Sequence, residues 1–237
     1  PQINEATIRL LNRHDIEVVV PKEIDCCGSL NYHLGKSDLA YKTFQKNISI
    51  WHNEYLKNGL DAIISNTSGC GTTLKDYGYI FRADQDYKKQ AKKISELTKD
   101  ISEYLEENVK LNFVKAKVSK QYKIAYHSAC SMQHAQKIHK IPINLIKKTG
   151  NQVFDIPEGH LCCGSAGTYN LLQNDIAKKL LKNKVSNIEK INPQFISTGN
   201  IGCISQIAKG TKIPILHTVE IIDWYTGGPK PKVLRSL

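Results

Sequence analysis

Seven cysteines are the residues of this chain best suited to chemistry, and they form a repeated pattern. Two adjacent pairs, each followed by glycine, stand at Cys26-Cys27 and Cys162-Cys163. A single cysteine preceded by glycine follows each pair, at Cys70 and at Cys203, and Cys130 precedes the second pair. Thiolates are ligands for soft metals, so this set predicts either a tetrahedral zinc ion or an iron–sulfur cluster.

Structural disulfides and ordinary buried thiols are the alternatives to a metal site. The cysteine count is odd, and adjacent cysteines rarely bridge each other because disulfide geometry is demanding. Buried thiols do not explain two matched Cys-Cys-Gly blocks. Zinc ligand pairs usually have the spacing C-x2–4-C, and the sequence contains no C-x-x-C. The side chains of adjacent cysteines diverge, which suits a cluster of several iron atoms better than one small ion. The pattern therefore favours an iron–sulfur cluster over zinc.

Other polar residues near these cysteines have weaker signals. His127 stands three residues before Cys130 and His134 four residues after it. Lone histidines are usually surface or capping groups, and the sequence does not separate these two as candidates for touching a cofactor. The glycine-rich segment 164–168 predicts a tight turn rather than a phosphate loop, and its N–H groups could donate to cluster sulfurs.

The elements that position the cysteines occur twice. Segments 16–21 and 152–157 are each a short β-rich run ended by proline, preceded by a helical pattern and followed by a Cys-Cys-Gly block. Segments 60–65 and 195–197 are predicted strands that lead into the later Gly-Cys of each copy. The chain is therefore expected to contain an internal repeat.

Strands that alternate with helices predict an α/β fold with two tandem repeated domains, each a mainly parallel sheet flanked by helices. A lysine-rich helical region at 85–108 and a polar stretch at 114–121 separate the two copies. We expect a first domain at 1–118, a second at 119–226 and a tail at 227–237, where the Gly-Gly-Pro-Lys-Pro sequence cannot continue a helix.

The second copy predicts the stronger site. Its strands at 123–127, 153–156 and 195–197 are each followed by cysteine, and parallel strands end at one edge of a sheet. Four thiols should converge there, those of Cys130, Cys162, Cys163 and Cys203.

The first copy lacks one of these cysteines. Its counterpart of Cys130 would fall before Pro1, so only Cys26, Cys27 and Cys70 remain. A missing ligand weakens the binding of a cluster, and we expect the first site to be weak or empty.

The net charge of +11 comes from 33 lysines and arginines against 22 acidic residues, but only four of the basic residues are arginine. The lysines are dispersed, and those of the 85–108 region fit a solvated helical face. We expect no nucleic acid partner, and docking to a protein or an anionic membrane surface instead. No apolar stretch approaches the ~20 residues of a membrane span. The sequence opens within a helical pattern without methionine, which suggests the later part of a longer protein.

Five longer segments carry a family resemblance. They are CCGSLNYHLG at 26–35, SGCGTTLKDYG at 68–78, CCGSAGTYNLL at 162–172, GNIGC at 199–203 and HTVEIIDW at 217–224. Together they resemble the cysteine-rich CCG domains shared by heterodisulfide reductases, lactate-utilisation iron–sulfur proteins and glycolate oxidase iron–sulfur subunits. They look most like the glycolate oxidase subunits, and the similarity covers nearly the whole chain.

The resemblance implies an iron–sulfur cluster, expected to be of the 4Fe–4S type, held by the seven cysteines and passing electrons. It also implies a partner subunit that carries FAD and oxidises glycolate to glyoxylate, with electrons leaving towards quinone. No catalytic residue is expected in this chain, which alone should not turn over substrate. We expect a cytoplasmic location, either free or in peripheral contact with the inner face of the membrane.

Two departures from the family bear on these expectations. Glycolate oxidase iron–sulfur subunits carry two ferredoxin-type C-x2-C-x2-C-x3-C-P segments, which this sequence lacks. Heterodisulfide reductase motifs end in C-x-x-C, whereas Gly-Thr-Thr follows Cys70 and Ile-Ser-Gln follows Cys203, which argues against heterodisulfide chemistry. A lactate-oxidation protein of similar length and a non-redox zinc-binding or docking domain remain the alternatives.

Overall fold

The computed structural model describes residues 1–114 and 121–234, in which helices alternate with short parallel strands. The helices are α1 (Gln2–Arg13), α2 (Ser29–His33), α3 (Ser37–Asn58), α4 (Ser68–Ile80), α5 (Lys88–Leu97), α6 (Ile101–Asn108), α7 (Lys140–Lys147), α8 (Tyr169–Leu172), α9 (Asn174–Ile191), α10 (Ile201–Ile207) and α11 (Thr218–Tyr225). The strands are β1 (Ile63–Ser65), β2 (Thr98–Asp100), β3 (Lys123–Tyr126), β4 (Gln152–Asp155), β5 (Phe195–Thr198) and β6 (Ile215–His217). A π-helical turn, Ser131–Gln136, and a 3-10 turn, Lys232–Leu234, complete the regular structure of these ranges.

The chain packs as two compact units. The smaller unit is Val18–Asp100, and the larger unit combines Pro1–Glu17 with Ile101–Leu237. The opening helix belongs to the larger unit because α1 packs on α11. The boundary near residue 118 that the repeat predicts lies outside the described residues. Within the predicted tail, Leu234 is buried in the core of the larger unit.

The larger unit is built on a four-stranded parallel sheet in the order β4-β3-β5-β6. Tyr126 at the end of β3 pairs with Asp155 of β4 and with Ser197 of β5, so these strands finish side by side. Apolar side chains from β3 and β5 point to both faces, where separate core clusters form around Phe195 and Ile196. Helices cover both faces, as parallel sheets require.

The smaller unit has a two-stranded parallel sheet of β1 and β2. Its core is aromatic: the rings of Phe44 and Tyr77 lie 4.7 Å apart, and Phe81 packs against Phe44. Helices α3, α4 and α5 contribute most of this core, which also contains Ile63 of β1. The predicted fold class, an α/β protein with repeated parallel sheets flanked by helices, is confirmed.

Two local predictions are wrong. Residues 16–21 form no strand, because Val19 and Val20 are 50% and 68% exposed and no described strand pairs with them. A β-rich composition stabilises a strand only where a pleated surface is covered by neighbours. The predicted helical region at 85–108 is interrupted by β2, whose Thr98 and Asp100 are buried.

None of the helices in the described residues combines the length and the apolar character needed to cross a membrane.

Candidate metal centre

Four cysteines lie at the carboxyl edge of the sheet in the larger unit. Cys130 follows β3 and opens the π-helical turn, and Cys203 lies in the first turn of α10, directly after β5. Cys162 and Cys163 stand in the loop that follows β4. Three neighbouring strand ends thus deliver the cysteines to one place, which is where open α/β sheets bind their ligands.

The four sulfurs form one connected group. Cys163 Sγ and Cys203 Sγ lie within 4.8 Å of each other, and in each of the pairs Cys130–Cys162, Cys162–Cys163 and Cys163–Cys203 one thiol is close enough to shift the pKa of the other. The structure therefore brings together the four thiols that the sequence predicted to converge.

The direction of the pKa shift alternates along the four sulfurs. The neighbouring thiol of Cys130 lowers the pKa of Cys162, and that of Cys163 lowers the pKa of Cys203. The same proximity raises the pKa of Cys130 and of Cys163, and burial raises these two pKa values further. Such opposed shifts are expected where several thiols are packed closely together.

The glycine of the Cys-Cys-Gly block is required by the geometry of the loop. Gly164 has a φ of +93°, and a Cβ built on it would lie 2.5 Å from the carbonyl oxygen of Ala177 in α9. Its N–H donates to Cys162 Sγ at 3.3 Å. A side chain at this position would therefore push the cysteine loop away from α9.

Cys203 is positioned by the cap of α10. The Asn200 side-chain oxygen accepts hydrogen bonds from the backbone N–H groups of Gly202, at 2.8 Å, and Cys203, at 3.3 Å. Such a cap satisfies the first free N–H groups of a helix and fixes its start. The Cys203 side chain is thereby held at the end of β5.

His127 is a non-cysteine residue that could act as a ligand at this centre. One of its ring nitrogens and the sulfurs of Cys163 and Cys203 lie within 4.8 Å of one another, and all three residues are buried. The ring also helps to lower the pKa of Cys203, after the larger effect of Cys163. His134, which the sequence could not distinguish from His127, is exposed.

Lys184 places a buried cation near the same sulfurs. Its side chain, on α9, is almost fully buried, and Nζ donates to the carbonyl oxygen of Glu158 at 3.2 Å. Burial lowers the pKa of Lys184, and the negative charge of the cysteines, Cys163 first, opposes that effect. An ammonium group in this position offsets the charge of a thiolate centre.

A gradient of burial runs across the centre. Cys163 and Cys203 are buried, Cys162 is half-buried and Cys130 is exposed. A group held by these sulfurs would be enclosed by protein on one side and open to solvent on the other. Four sulfur donors, an orphaned imidazole and a nearby cation together fit an iron–sulfur cluster or a single soft metal ion.

The three cysteines of the smaller unit also meet. The nearby Cys70 raises the pKa of Cys27, as does burial, whereas Cys26 lowers it, and Cys27 in turn lowers the pKa of Cys70. Asn47 Nδ2 donates to the Cys26 carbonyl, and the Tyr77 hydroxyl donates to that of Cys27, both at 2.9 Å. None of these three cysteines is buried, so this group of thiols is more open than the other. That it binds a cluster more weakly stays a prediction.

The sequence analysis did not identify Lys184, and it did not distinguish His127 from His134 as a candidate site residue. The signal for Lys184 was its place on the apolar face of a helix, because Ala177, Leu181 and Val185 of α9 are buried beside it. The signal for His127 was its position directly after the buried strand β3, whereas His134 stands in a polar turn.

Comparisons with known proteins match these two cysteine groups to a family. The family described as CCG, cysteine-rich domain, matches residues 1–75 and 124–208, and those segments contain all seven cysteines. The glycolate oxidase iron-sulfur subunit of Escherichia coli (strain K12) is 36% identical over 223 residues, which are 94% of this chain and 54% of that protein. The probable glycolate oxidase iron-sulfur subunit of Bacillus subtilis (strain 168) is 29% identical over 229 residues, 92% of this chain and 50% of that protein.

Lactate utilization protein A of Geobacillus sp. (strain WCH70) is also similar, being 25% identical over 225 residues, 92% of this chain and 91% of that protein. The chain therefore spans about half the length of the two glycolate oxidase subunits and most of the length of the lactate utilization protein.

Proposed function

The chain belongs to the CCG cysteine-rich domain family, and from that premise we propose that it is the later part of the iron–sulfur subunit of a glycolate-oxidising enzyme. The observation that carries the proposal is the placement of four cysteines at the carboxyl edge of the parallel sheet, after three neighbouring strands. In this role the chain holds an electron carrier and contributes no catalytic residue. Oxidation of glycolate to glyoxylate belongs to a partner subunit with FAD.

The cysteines of the centre would bind the cofactor, enclose one side of it and leave the other side open to solvent. Cys130, Cys162, Cys163 and Cys203 would bind an iron–sulfur cluster of the 4Fe–4S type, which when bound accepts and gives up one electron at a time. The buried sulfurs of Cys163 and Cys203 exclude water from one side. Exposed Cys130 marks the side on which electrons would enter or leave.

A lactate-oxidation iron–sulfur protein is the second candidate. It is favoured by one observation, namely that the chain covers 91% of the length of the lactate utilization protein of Geobacillus sp.. Reading the coding sequence upstream of Pro1 separates the two candidates. Two ferredoxin-type cysteine segments upstream support the glycolate oxidase assignment, and a short extension with one cysteine supports the lactate protein.

The metal content tests the electron-transfer proposal against a zinc-binding docking domain. The chain is purified anaerobically and assayed for iron, acid-labile sulfide and zinc, and its visible spectrum is recorded. We expect iron and sulfide in near-equal amounts with absorption at about 400 nm that bleaches on reduction. Stoichiometric zinc without iron would overturn the proposal and support the docking domain.

The basic surface fits a docking role in this proposal. Lys88, Lys89 and Lys92 of α5 are exposed, as a solvated helical face requires. We infer that such charge serves a protein partner or the anionic inner face of the cytoplasmic membrane, where quinone is available, rather than nucleic acid. Micromolar binding to duplex DNA with a steep salt dependence would contradict this inference.

A further inference from the structure

His127 has surroundings that a purely cysteine-ligated centre leaves unexplained. Its side chain is 2% exposed, and neither ring nitrogen makes a hydrogen bond of normal geometry with the residues that the structure describes, although the ring is close enough to Cys203 to lower the pKa of that thiol. A buried polar group without a partner destabilises the folded protein. Folded proteins retain such groups where a bound ion or ligand satisfies them.

Two sulfurs of the centre lie close to the imidazole. A ring nitrogen of His127, Cys163 Sγ and Cys203 Sγ all lie within 4.8 Å of one another. Nitrogen and sulfur ligands of a tetrahedral ion lie about 3.5 Å apart, given bond lengths of about 2.0–2.3 Å. The three atoms can therefore reach one metal after shifts of about an ångström.

The backbone holds the imidazole at this edge of the sheet. The N–H of His127 donates to the Ser197 carbonyl at 2.8 Å, which extends the pairing of β3 with β5 beyond Tyr126. Thr198, at the corresponding position of β5, is buried, and its hydroxyl also lacks a partner among the described residues.

We propose that His127 is a metal ligand of the centre, so that one imidazole nitrogen joins the sulfurs of Cys163 and Cys203 in holding it. The three atoms would hold a single divalent ion together. The inference rests on the proposed function only where the metal is the iron of a 4Fe–4S cluster, in which each iron takes one protein ligand and the imidazole would replace one cysteine on its own iron. A neutral imidazole reduces the negative charge of the ligand set. Histidine ligation accordingly raises the reduction potential of an iron–sulfur centre.

Cobalt alone tests this ligand without requiring a cluster. The full chain carries Cys26→Ser, Cys27→Ser and Cys70→Ser, so that only the centre of the larger unit binds metal. The reduced, metal-free protein is titrated with Co²⁺ in the presence and absence of His127→Gln. His134→Gln is the matched control, because His134 is exposed on the neighbouring turn.

We expect His127→Gln to weaken Co²⁺ binding by about 10- to 100-fold and to shift the ligand-field bands, while His134→Gln changes neither. His127→Cys, which replaces nitrogen by another soft ligand, should restore the affinity. That rescue shows that the loss in His127→Gln is a loss of ligand rather than of packing. Equal affinity and equal spectra for His127→Gln and its parent would overturn the inference.

A second readout separates this inference from the proposed function. The cluster is assembled with iron and sulfide in protein labelled with ¹⁵N-histidine, reduced, and examined by pulsed electron paramagnetic resonance. We expect a hyperfine coupling to directly bound nitrogen that His127→Gln abolishes. A complete cluster without that coupling overturns the inference and leaves the proposed function intact. If cobalt binds through His127 but the chain assembles no cluster, the inference stands and the proposed function is overturned.

Discussion

Cys163 Sγ and Cys203 Sγ lie within 4.8 Å of each other although their preceding strands, β4 and β5, are separated in the sheet by β3. The loop after β4 must therefore reach across the end of β3, where Cys130 and His127 follow. This crossing is why four cysteines from three loops can serve one centre. It also means that the backbone of the Cys-Cys-Gly loop controls the geometry of the centre.

Gly164→Ala should damage the centre through the backbone alone. The new Cβ would meet the Ala177 carbonyl oxygen at 2.5 Å, in a residue whose φ of +93° already disfavours a side chain. We expect a loss of about 2–4 kcal/mol in the free energy of unfolding, together with lower iron content after reconstitution. Urea denaturation and iron assays measure the two effects.

Gly227→Ala is the control for that variant. Gly227 also has a positive φ, +123°, but the nearest atom to its Cβ would be 3.4 Å away in the Arg13 side chain. We expect a loss of about 1–2 kcal/mol and unchanged iron content. Equal effects of the two substitutions would show that close packing on α9 is unimportant.

Asp223 should be important for the stability of the larger unit. Its carboxylate, 1% exposed, pairs with Arg9 and Arg13, at 2.7 and 2.8 Å, and so joins α11 to α1. Asp223→Asn removes charge-assisted hydrogen bonds to two guanidinium groups that stay partly exposed to solvent, and we expect it to cost about 1–3 kcal/mol.

The Lys148–Glu106 pair in the same unit provides the comparison, because both side chains are well exposed. Glu106→Gln should cost less than about 1 kcal/mol. Denaturation midpoints of the two variants compare the costs directly. An Asp223→Asn protein as stable as Glu106→Gln would contradict the importance given to this ion pair.

Lys184→Met should make the bound centre harder to reduce. The reduced state carries one more negative charge, so removal of a buried cation destabilises it and lowers the reduction potential. We expect a drop on the order of 40 mV, equivalent to about 1 kcal/mol for one electron. The potential is measured by optical redox titration. Lys182→Met, at an exposed position of the same helix, should leave the potential unchanged, and a rise in Lys184→Met would refute the electrostatic role.

The sequence predicted the site best for residues that directly follow a parallel strand, because the end of each strand fixes their place in the fold. The cysteines after β3, β4 and β5 could be placed at one edge because parallel strands end together. Segment 16–21 had the composition of the run that contains β4, yet it forms no strand, because Val19 and Val20 have no described strand beside them. Pairing of that kind is a long-range property that local composition does not specify.

The sequence alone did not predict which other side chains are buried beside the sulfurs. His127 and His134 flank Cys130 at similar distances along the chain, and only the fold shows that the first is buried and the second exposed. Burial of Lys184 was equally hidden, since a lysine on an amphipathic helix normally extends to solvent. Packing of α9 against the cysteine loop decides both the place of that cation and the need for Gly164.

Iron and sulfide content after anaerobic reconstitution, compared between two sets of serine variants, tests the central claim most directly. One set replaces Cys130, Cys162, Cys163 and Cys203, and the other replaces Cys26, Cys27 and Cys70. We predict that the first set loses most of the bound iron and the second retains most of it, because only the four-sulfur centre is partly enclosed by protein. Equal iron loss from both sets, or the same iron content in the first set as in the unmodified chain, would contradict the account.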